Sequence, residues 1–477
     1  MYLILDQGTS STKVFLFDND SKIHFSSRLP HRLNRPAPGH AESDPLTILE
    51  SCFRLIKAAL DFSQKTGTPI QSAGMAVQRS TFMFWDKQTA KPLTPAISWQ
   101  DTRAEAETRE RKRHTDLIQS RTGTPLSAHF GGPKYMHLIR QNPELANRVQ
   151  KGSVYFGPLS AFLSQSLTGV PAVDHSIAGR SLCLNLNKPD WDPDLCELFE
   201  IDPSDLPPLQ ATMADYGTIS IDNTSLPLRC VIGDQQAALL GQGGWTSGDL
   251  ALNFGTSGSV MLNTGRQPGL IPGLIGSVLY SSENELTYLL EGTINTCNTL
   301  FDWLEQDLQI PVHRRKWDKL CQQTTTTGVV VPGYCGLAAP YWRDRFKTVI
   351  SAIDPADTDQ IIRAAVESIG FFTHDIITLI RRHLPVELHS ITASGGLSRT
   401  SLLQFIADLL NSAVGHTRMK DHTALGVLQL LQKADGYPVE KQTFDRLYEP
   451  SMAAAERRTK IAAWQGALRQ AGIEPVE

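Results

Sequence analysis

The sequence predicts an α/β fold built twice over, and three observations support this. Short apolar runs alternate with stretches of helical periodicity along the chain, the pattern of strands and helices layered on central sheets. A strand–turn–strand unit opens the sequence, as Leu3-Ile4-Leu5, then Asp6-Gln7-Gly8-Thr9-Ser10-Ser11-Thr12, then Val14-Phe15-Leu16-Phe17. The same logic returns past the middle, where 250–254 runs into Gly255-Thr256-Ser257-Gly258 and out through 259–262. One such hairpin per half implies a duplicated architecture, and 477 residues are enough for two or three domains.

The remaining elements follow in order. Asp44 is a cap and Pro45 a first-turn residue for a helix over 44–60, with Leu46, Ile48, Leu49, Phe53, Ile56 and Leu60 at helical spacing. Residues 70–77 and 81–85 read as strands. The charged stretch 101–114 reads as a solvated helix, and 191–198 as a short helix after a Pro-rich corner, with Leu206-Pro207-Pro208 a further loop. A strand over 228–232 leads into a helix over 234–242 that ends at Gly243-Gly244. That Gly-rich joint is the expected boundary and hinge, dividing the chain into 1–243 and 244–477. Beyond it come a strand at 328–331, a helix over 360–383, a strand at 391–393, a Gly395-Gly396 turn and a helix over 402–411.

Composition narrows the function classes. With 41% hydrophobic and 20% charged residues the chain reads as globular, and a net charge of −4 argues against a broad basic face for nucleic acid or an acidic membrane. No apolar run approaches the roughly 20 residues of a membrane span. The start, Met1-Tyr2-Leu3-Ile4-Leu5-Asp6, lacks the basic region of a signal peptide. The seven cysteines, Cys52, Cys183, Cys196, Cys230, Cys297, Cys321 and Cys335, are odd in number, scattered and free of Cys-x-x-Cys pairs. They are expected to be small buried thiols of a reducing, cytoplasmic compartment.

The turns carry the chemistry. Gly8 with the small Thr9, Ser10 and Ser11 lets backbone N–H groups approach a phosphate, Lys13 offers a point charge, and Asp6 at a strand end is a candidate for Mg²⁺. Taken alone, this segment is more simply a hairpin whose Asp and Ser satisfy turn N–H groups. Gly255-Thr256-Ser257-Gly258 carries the same ambiguity. Gly395 and Gly396 permit a flat approach to adenine or phosphate, although a Gly-Gly corner is commonly just a turn. Asp234 follows an apolar strand and opens a helix; the structural reading is an N-cap, the functional one a general base for an acceptor hydroxyl at a strand end. Gln235 and Arg79 are candidate donors to sugar hydroxyls, and Trp99 a candidate face for the carbon side.

The order of these segments resembles the FGGY carbohydrate kinases, and among them the glycerol kinases, over nearly the whole chain. Asp6-Gln7-Gly8-Thr9-Ser10-Ser11-Thr12-Lys13 is similar to the family's phosphate loop, and Gly39-His40-Ala41-Glu42-Ser43-Asp44-Pro45 to the start of its first helix. Gln78-Arg79, Trp85-Asp86 and Ile97-Ser98-Trp99-Gln100-Asp101-Thr102-Arg103 resemble its sugar-pocket segments. Gly233-Asp234-Gln235-Gln236-Ala237-Ala238 resembles the segment bearing the catalytic aspartate. Gly336-Leu337-Ala338-Ala339-Pro340-Tyr341-Trp342, Ser394-Gly395-Gly396-Leu397-Ser398 with Gln404 and Asp408, and Thr423-Ala424-Leu425-Gly426 complete the series. The resemblance implies two ribonuclease-H/actin-like (ASKHA) domains closing over ATP and a small-molecule sugar or polyol, and it leaves a homodimer open. It implies Asp234 as the base and Asp6 as the Mg²⁺ residue. Thr9, Ser10, Ser11, Lys13, Gly255, Thr256, Gly395 and Gly396 would meet the nucleotide. Arg79, Ser80, Trp99, His129, Asp234 and Gln235 would meet the acceptor.

The departures from glycerol kinases fall in the acceptor pocket. Ser80 stands where they carry Glu. His129, before Phe130-Gly131-Gly132-Pro133-Lys134, stands where they carry Tyr. Ser259 stands where they carry Phe, and Gly255-Thr256-Ser257-Gly258 is more like a xylulose kinase. The resemblance therefore implies an acceptor larger than glycerol, a longer polyol or a ketopentose such as xylulose. The family's second sequence pattern, around 350–367, has Ala352 where Gly is usual. Two other classes are open: a catalytically inactive sugar or nucleotide sensor on the same fold, and an actin- or chaperone-like ATPase. Retention of Asp6 and Asp234 argues against the first, and the Arg79 and Trp99 segments against the second.

Overall fold

A computed structural model describes residues 1–312, 316–343, 346–439 and 443–476. Two sheets form its frame. The first runs in the order Thr218–Ile221, Thr224–Gly233, Ser72–Val77, Tyr2–Gln7, Ser11–Phe17, Ile23–Pro30. Its opening strand Tyr2–Gln7 pairs antiparallel with Ser11–Phe17 and parallel with Ser72–Val77, which in turn is parallel to Thr224–Gly233. The second sheet runs Ile275–Ser281, Leu286–Ile294, Gly258–Gly265, Asp249–Phe254, Ser390–Ser394, Val414–His416, Arg446–Tyr448. Asp249–Phe254 likewise pairs antiparallel with the strand after its Gly-Thr-Ser turn and parallel with Ser390–Ser394. The two hairpins read from the sequence therefore stand at the centre of two sheets built alike.

The central strands lack polar alternation because both of their faces are covered; every residue of Ser72–Val77 is buried. Helix Pro45–Thr66 packs Ile48, Cys52, Leu55, Ile56 and Ala59 into the core of the first sheet. It runs past 60 because Gly67, at φ 67°, closes it in the left-handed conformation and returns its N–H to the last turn. Helices Asp234–Gly241 and His422–Ala434 lie between the sheets. They share one core cluster that includes Tyr2 and Ile4 of the first sheet and Met261 and Leu289 of the second. These helices cross at glycines: a Cβ on Gly241 would sit 2.0 Å from the His422 carbonyl oxygen, and one on Gly426 1.9 Å from that of Ala237.

The stretch 101–114 departs from the expected solvated helix. Only Glu105–Glu110 is α-helical, with a 3₁₀ turn at Lys112–His114. Asp101 is fully buried, accepts the Ala41 N–H at 2.6 Å and grips Arg103, which also reaches Glu42 at 2.8 Å. A charge taken out of water is kept by its partners, and here those partners hold the start of the segment in a loop. Among the described residues, no helix is long and apolar enough to cross a membrane.

Candidate active site

Three parallel strands bring the chemistry to one edge. In register, Gln7 stands opposite Val77 and Val77 opposite Gly233. Asp6, the segment Gln78-Arg79-Ser80 and Asp234 are thus gathered at neighbouring carboxyl ends, where α/β sheets bind ligands.

Asp234 is the first residue of its helix, and Gly233 occupies the cap position. This corrects the structural reading of Asp234 as an N-cap. One carboxylate oxygen accepts the Gln235 N–H at 2.8 Å and lies 3.7 Å from Arg79 Nε. Burial pushes the carboxyl up, Arg79 pulls it down and the Asp6 charge adds to the rise, leaving a pKa of about 6. Such a group is mostly ionised at neutral pH yet remains a competent base.

The Arg79 fork, expected to meet sugar hydroxyls, already holds Glu291: Nη1 and Nη2 donate to its two carboxylate oxygens at 2.8 and 2.9 Å. Arg180 donates to the same carboxylate at 2.7 Å. Burial opposes ionisation of Glu291, but the two guanidinium groups outweigh it and hold the pKa at about 2. The edge of Arg79 that remains is Nε, facing Asp234.

The phosphate-loop candidates form the turn of the opening hairpin. The Gly8 N–H closes on the Ser11 carbonyl at 3.0 Å. Ser11 is buried at the start of its strand and shapes the loop through that carbonyl, while Ser10 is exposed. The Thr9 hydroxyl donates to Gln78 at 3.2 Å and accepts the Trp99 indole N–H at 2.9 Å. Lys13 lies 3.6 Å from Asp6 and donates to Asp421 at 3.0 Å. Burial raises the pKa of Asp6 against the pull of Lys13.

The other two turns form one surface. Gly255 N–H closes on the Ser257 carbonyl at 3.0 Å, and Thr256 is exposed beside it. Gly395, at φ 97°, passes so close to this hairpin that a Cβ would sit 2.5 Å from the Phe254 carbonyl oxygen. Leu397, just past Gly396, donates its N–H to that same oxygen at 3.0 Å.

The acceptor candidates form a wall. His129 Nδ1–H donates to the Trp99 carbonyl at 2.8 Å. Beneath them Lys134, only 1% exposed, donates to the carbonyls of Ser80, Ser98 and His129 at 2.8, 2.8 and 2.7 Å. Ser80 takes a left-handed φ of 59°, uncommon for a non-glycine residue, immediately after Arg79. Ser259 lies apart from this wall in the second sheet, opposite Thr293 on the strand that carries Glu291.

Sequence reasoning missed Glu291, Arg180, Lys134 and Asp421. Glu291 had a signal, a lone acid within the otherwise apolar Tyr288-Leu289-Leu290-Glu291-Gly292. Lys134 had a weaker one, a lysine behind Phe130-Gly131-Gly132-Pro133.

The duplicated sheets, the paired Gly-Thr-Ser turns and the carboxylates between them define a phosphotransferase of the actin-like class. Comparison with known proteins agrees. The N-terminal domain of the FGGY family of carbohydrate kinases matches residues 1–241, and its C-terminal domain matches 250–433. Glycerol kinase 2 of Thermotoga maritima is 31% identical over 98% of this chain and 97% of its own length. Glycerol kinase of Thermococcus kodakarensis is 31% identical over 98% and 96%. Among solved structures, Plasmodium falciparum glycerol kinase with ADP superposes with a TM-score of 0.93 at 28% identity, covering 99% of both chains. A ligand-bound xylulose kinase from Lactobacillus acidophilus shares the fold, with a TM-score of 0.84 at 20% identity over 99% of both chains. The chain belongs to the FGGY family of carbohydrate kinases. It is a phosphotransferase with an alcohol group as acceptor, glycerol-kinase-like, that uses ATP with Mg²⁺. The residues fit these partners: a carboxylate at a strand end with a lysine beside it, and glycine turns open enough for phosphate oxygens.

Proposed function

We propose that the chain transfers the γ-phosphoryl group of ATP to a hydroxyl of a four- or five-carbon polyol or ketose, with Asp234 as general base. The acceptor oxygen attacks the γ-phosphorus, its proton passes to the Asp234 carboxylate, the new P–O bond forms, and the bond to the β-phosphate oxygen breaks to release ADP. Asp6 would hold Mg²⁺, which when bound offsets the charge on the phosphates. Thr9, Ser10, Lys13, Gly255, Thr256, Gly395 and Gly396 would line the nucleotide; Trp99, His129 and Gln235 would hold the acceptor. Retention of Asp234, ionised beside Arg79, supports turnover over an inactive sensor.

The observation that carries the acceptor class is the state of His129. Its Nδ1–H is spent on the Trp99 carbonyl, so Nε2 presents a lone pair to an additional hydroxyl. Ser80 and Ser259 replace the Glu and Phe of glycerol kinases, so contacts with a small triol are lost. A contact of one methylene is worth about 1–3 kcal/mol of discrimination. The test is a screen of glycerol, tetritols, pentitols and ketopentoses with ATP, reading ADP release. A longer acceptor should show the higher kcat/KM, and Ser80→Glu with Ser259→Phe should swing preference toward glycerol. Wild-type preference for glycerol over every longer acceptor refutes the reading.

A further inference from the structure

A four-membered ionic array joins the halves of the molecule beside the proposed base. Arg79 leaves the end of strand Ser72–Val77, and Arg180 comes from the 3₁₀ turn Gly179–Ser181, both in the first half. Glu291 lies on strand Leu286–Ile294 of the second sheet. Its carboxylate accepts three guanidinium N–H bonds, all between 2.7 and 2.9 Å. The side chains of Arg79, Arg180 and Glu291 are only 12%, 3% and 4% exposed. The stem of Arg79 lies along Gly233, where a Cβ would stand 3.1 Å from its Cγ and Cδ. That glycine immediately precedes Asp234, so its missing side chain brings the guanidinium beside the carboxylate.

A guanidinium fork favours a bidentate carboxylate, and two carboxylates compete for this one. Glu291 takes the fork, and Asp234 meets only the Nε edge at 3.7 Å. We propose that Glu291 is a positioning residue for phosphoryl transfer, holding the Arg79 fork so that Asp234 stays free to accept the acceptor proton. Arg180 anchors the carboxylate from the other side and balances the array, two cations against two anions. Without Glu291 the nearest partner for the Arg79 fork is Asp234 itself. A carboxylate locked in a bidentate pair is a weaker base, so the loss should fall on the chemical step and not on nucleotide binding.

This inference rests on Asp234 being the base. It is tested with whichever acceptor the screen above ranks first, so that a preference for glycerol defeats the acceptor reading and leaves this test intact. Glu291→Gln and the double variant Arg180→Gln with Glu291→Gln are compared with wild type for kcat, KM of ATP and thermal midpoint. Glu291→Gln should lower kcat by about 10²-fold, the scale of a misplaced catalytic group, with KM of ATP changed by no more than about twofold. The single variant leaves two guanidinium groups against one carboxylate, one surplus buried positive charge, and should melt lower. The double variant removes the surplus charge and should regain thermal stability while its kcat stays low, because the Arg79 fork still turns to Asp234. Recovery of kcat together with the melting point in the double variant, or wild-type kcat in a folded Glu291→Gln, overturns the proposal.

Discussion

Asp234→Asn separates the chemical from the structural role of this residue, because the two change with pH in opposite ways. An unperturbed aspartate titrates near 3.8, and burial beside Arg79 and Asp6 places Asp234 at about 6. Below 3.8 both folded and unfolded chains hold the proton, and the group costs nothing. Above 6 the folded chain carries an ionised carboxylate that its surroundings disfavour, a cost of about 3 kcal/mol at the most. The stability associated with this group is therefore fully present at acid pH and is lost as pH rises through 6. Asn keeps an oxygen for the Gln235 N–H and carries no charge. The variant should melt above wild type near pH 8, and the gap should fade as pH falls toward 4. Activity runs the other way. Wild-type kcat/KM should fall below an acid limb near pH 6, and Asp234→Asn should lose roughly 10²–10⁴-fold in turnover while still binding ATP by calorimetry. Near-wild-type turnover in Asp234→Asn removes it from the mechanism. A wild-type acid limb near pH 4, or a melting gap that does not change with pH, refutes the assignment of a raised pKa to this carboxylate.

Three further outcomes follow from the geometry. Asp6→Ala should lower turnover and raise the Mg²⁺ requirement, with partial rescue by excess Mg²⁺ in a metal titration; Lys13 keeps Asp421 as a partner at 3.0 Å, so the melting point should hardly move. Lys134→Met preserves the bulk of a buried side chain and removes three donors from the Ser80, Ser98 and His129 carbonyls. Steady-state kinetics should then show KM of the acceptor raised by about tenfold or more, with KM of ATP little changed. Gly426→Ala drives a methyl group to 1.9 Å from the Ala237 carbonyl and should destabilise the protein by about 1–3 kcal/mol, read as a lower midpoint in thermal melting.

What the sequence disclosed was local, and what it withheld depends on partners far along the chain. The opening hairpin was legible because two short apolar runs flank a turn of Gly, Thr and Ser, and the same pattern exposed its counterpart at 250–262. Asp234 was legible as a residue of interest from the apolar strand before it, but only the structure shows Gly233 in the cap position and the carboxylate freed from capping. Helix boundaries shifted where a conformation, not a propensity, ends the element, as at Gly67. The stretch 101–114 looked solvated because its charges are dense; the burial of Asp101 is set by Ala41 and Arg103, which periodicity cannot register. Thr9 is legible as a residue of the phosphate turn, but the bonds of its hydroxyl to Gln78 and Trp99 reach residues 69 and 90 positions away, which no local pattern registers.

That last pair of bonds bears on how the two substrates sense each other. Trp99 belongs to the acceptor wall and Thr9 to the phosphate turn, and a single hydroxyl joins them. The Trp99 carbonyl also holds His129, whose own carbonyl is held by Lys134, which grips Ser80 next to Arg79. From Arg79 the contacts continue to Glu291 in the second sheet and to Asp234. The phosphate turn, acceptor wall, base and second half of the molecule are therefore links of one chain of hydrogen bonds, the Ser80–Arg79 backbone and the Arg79 ion pairs. A substrate that orders either end removes freedom the other would otherwise have to lose on binding, which favours mutual strengthening of the two. Among the described residues, the Thr9 hydroxyl carries the bond between the Trp99 indole and the phosphate turn, and Gln78, next to Arg79, ties the same turn through the Gln7 carbonyl at 2.8 Å.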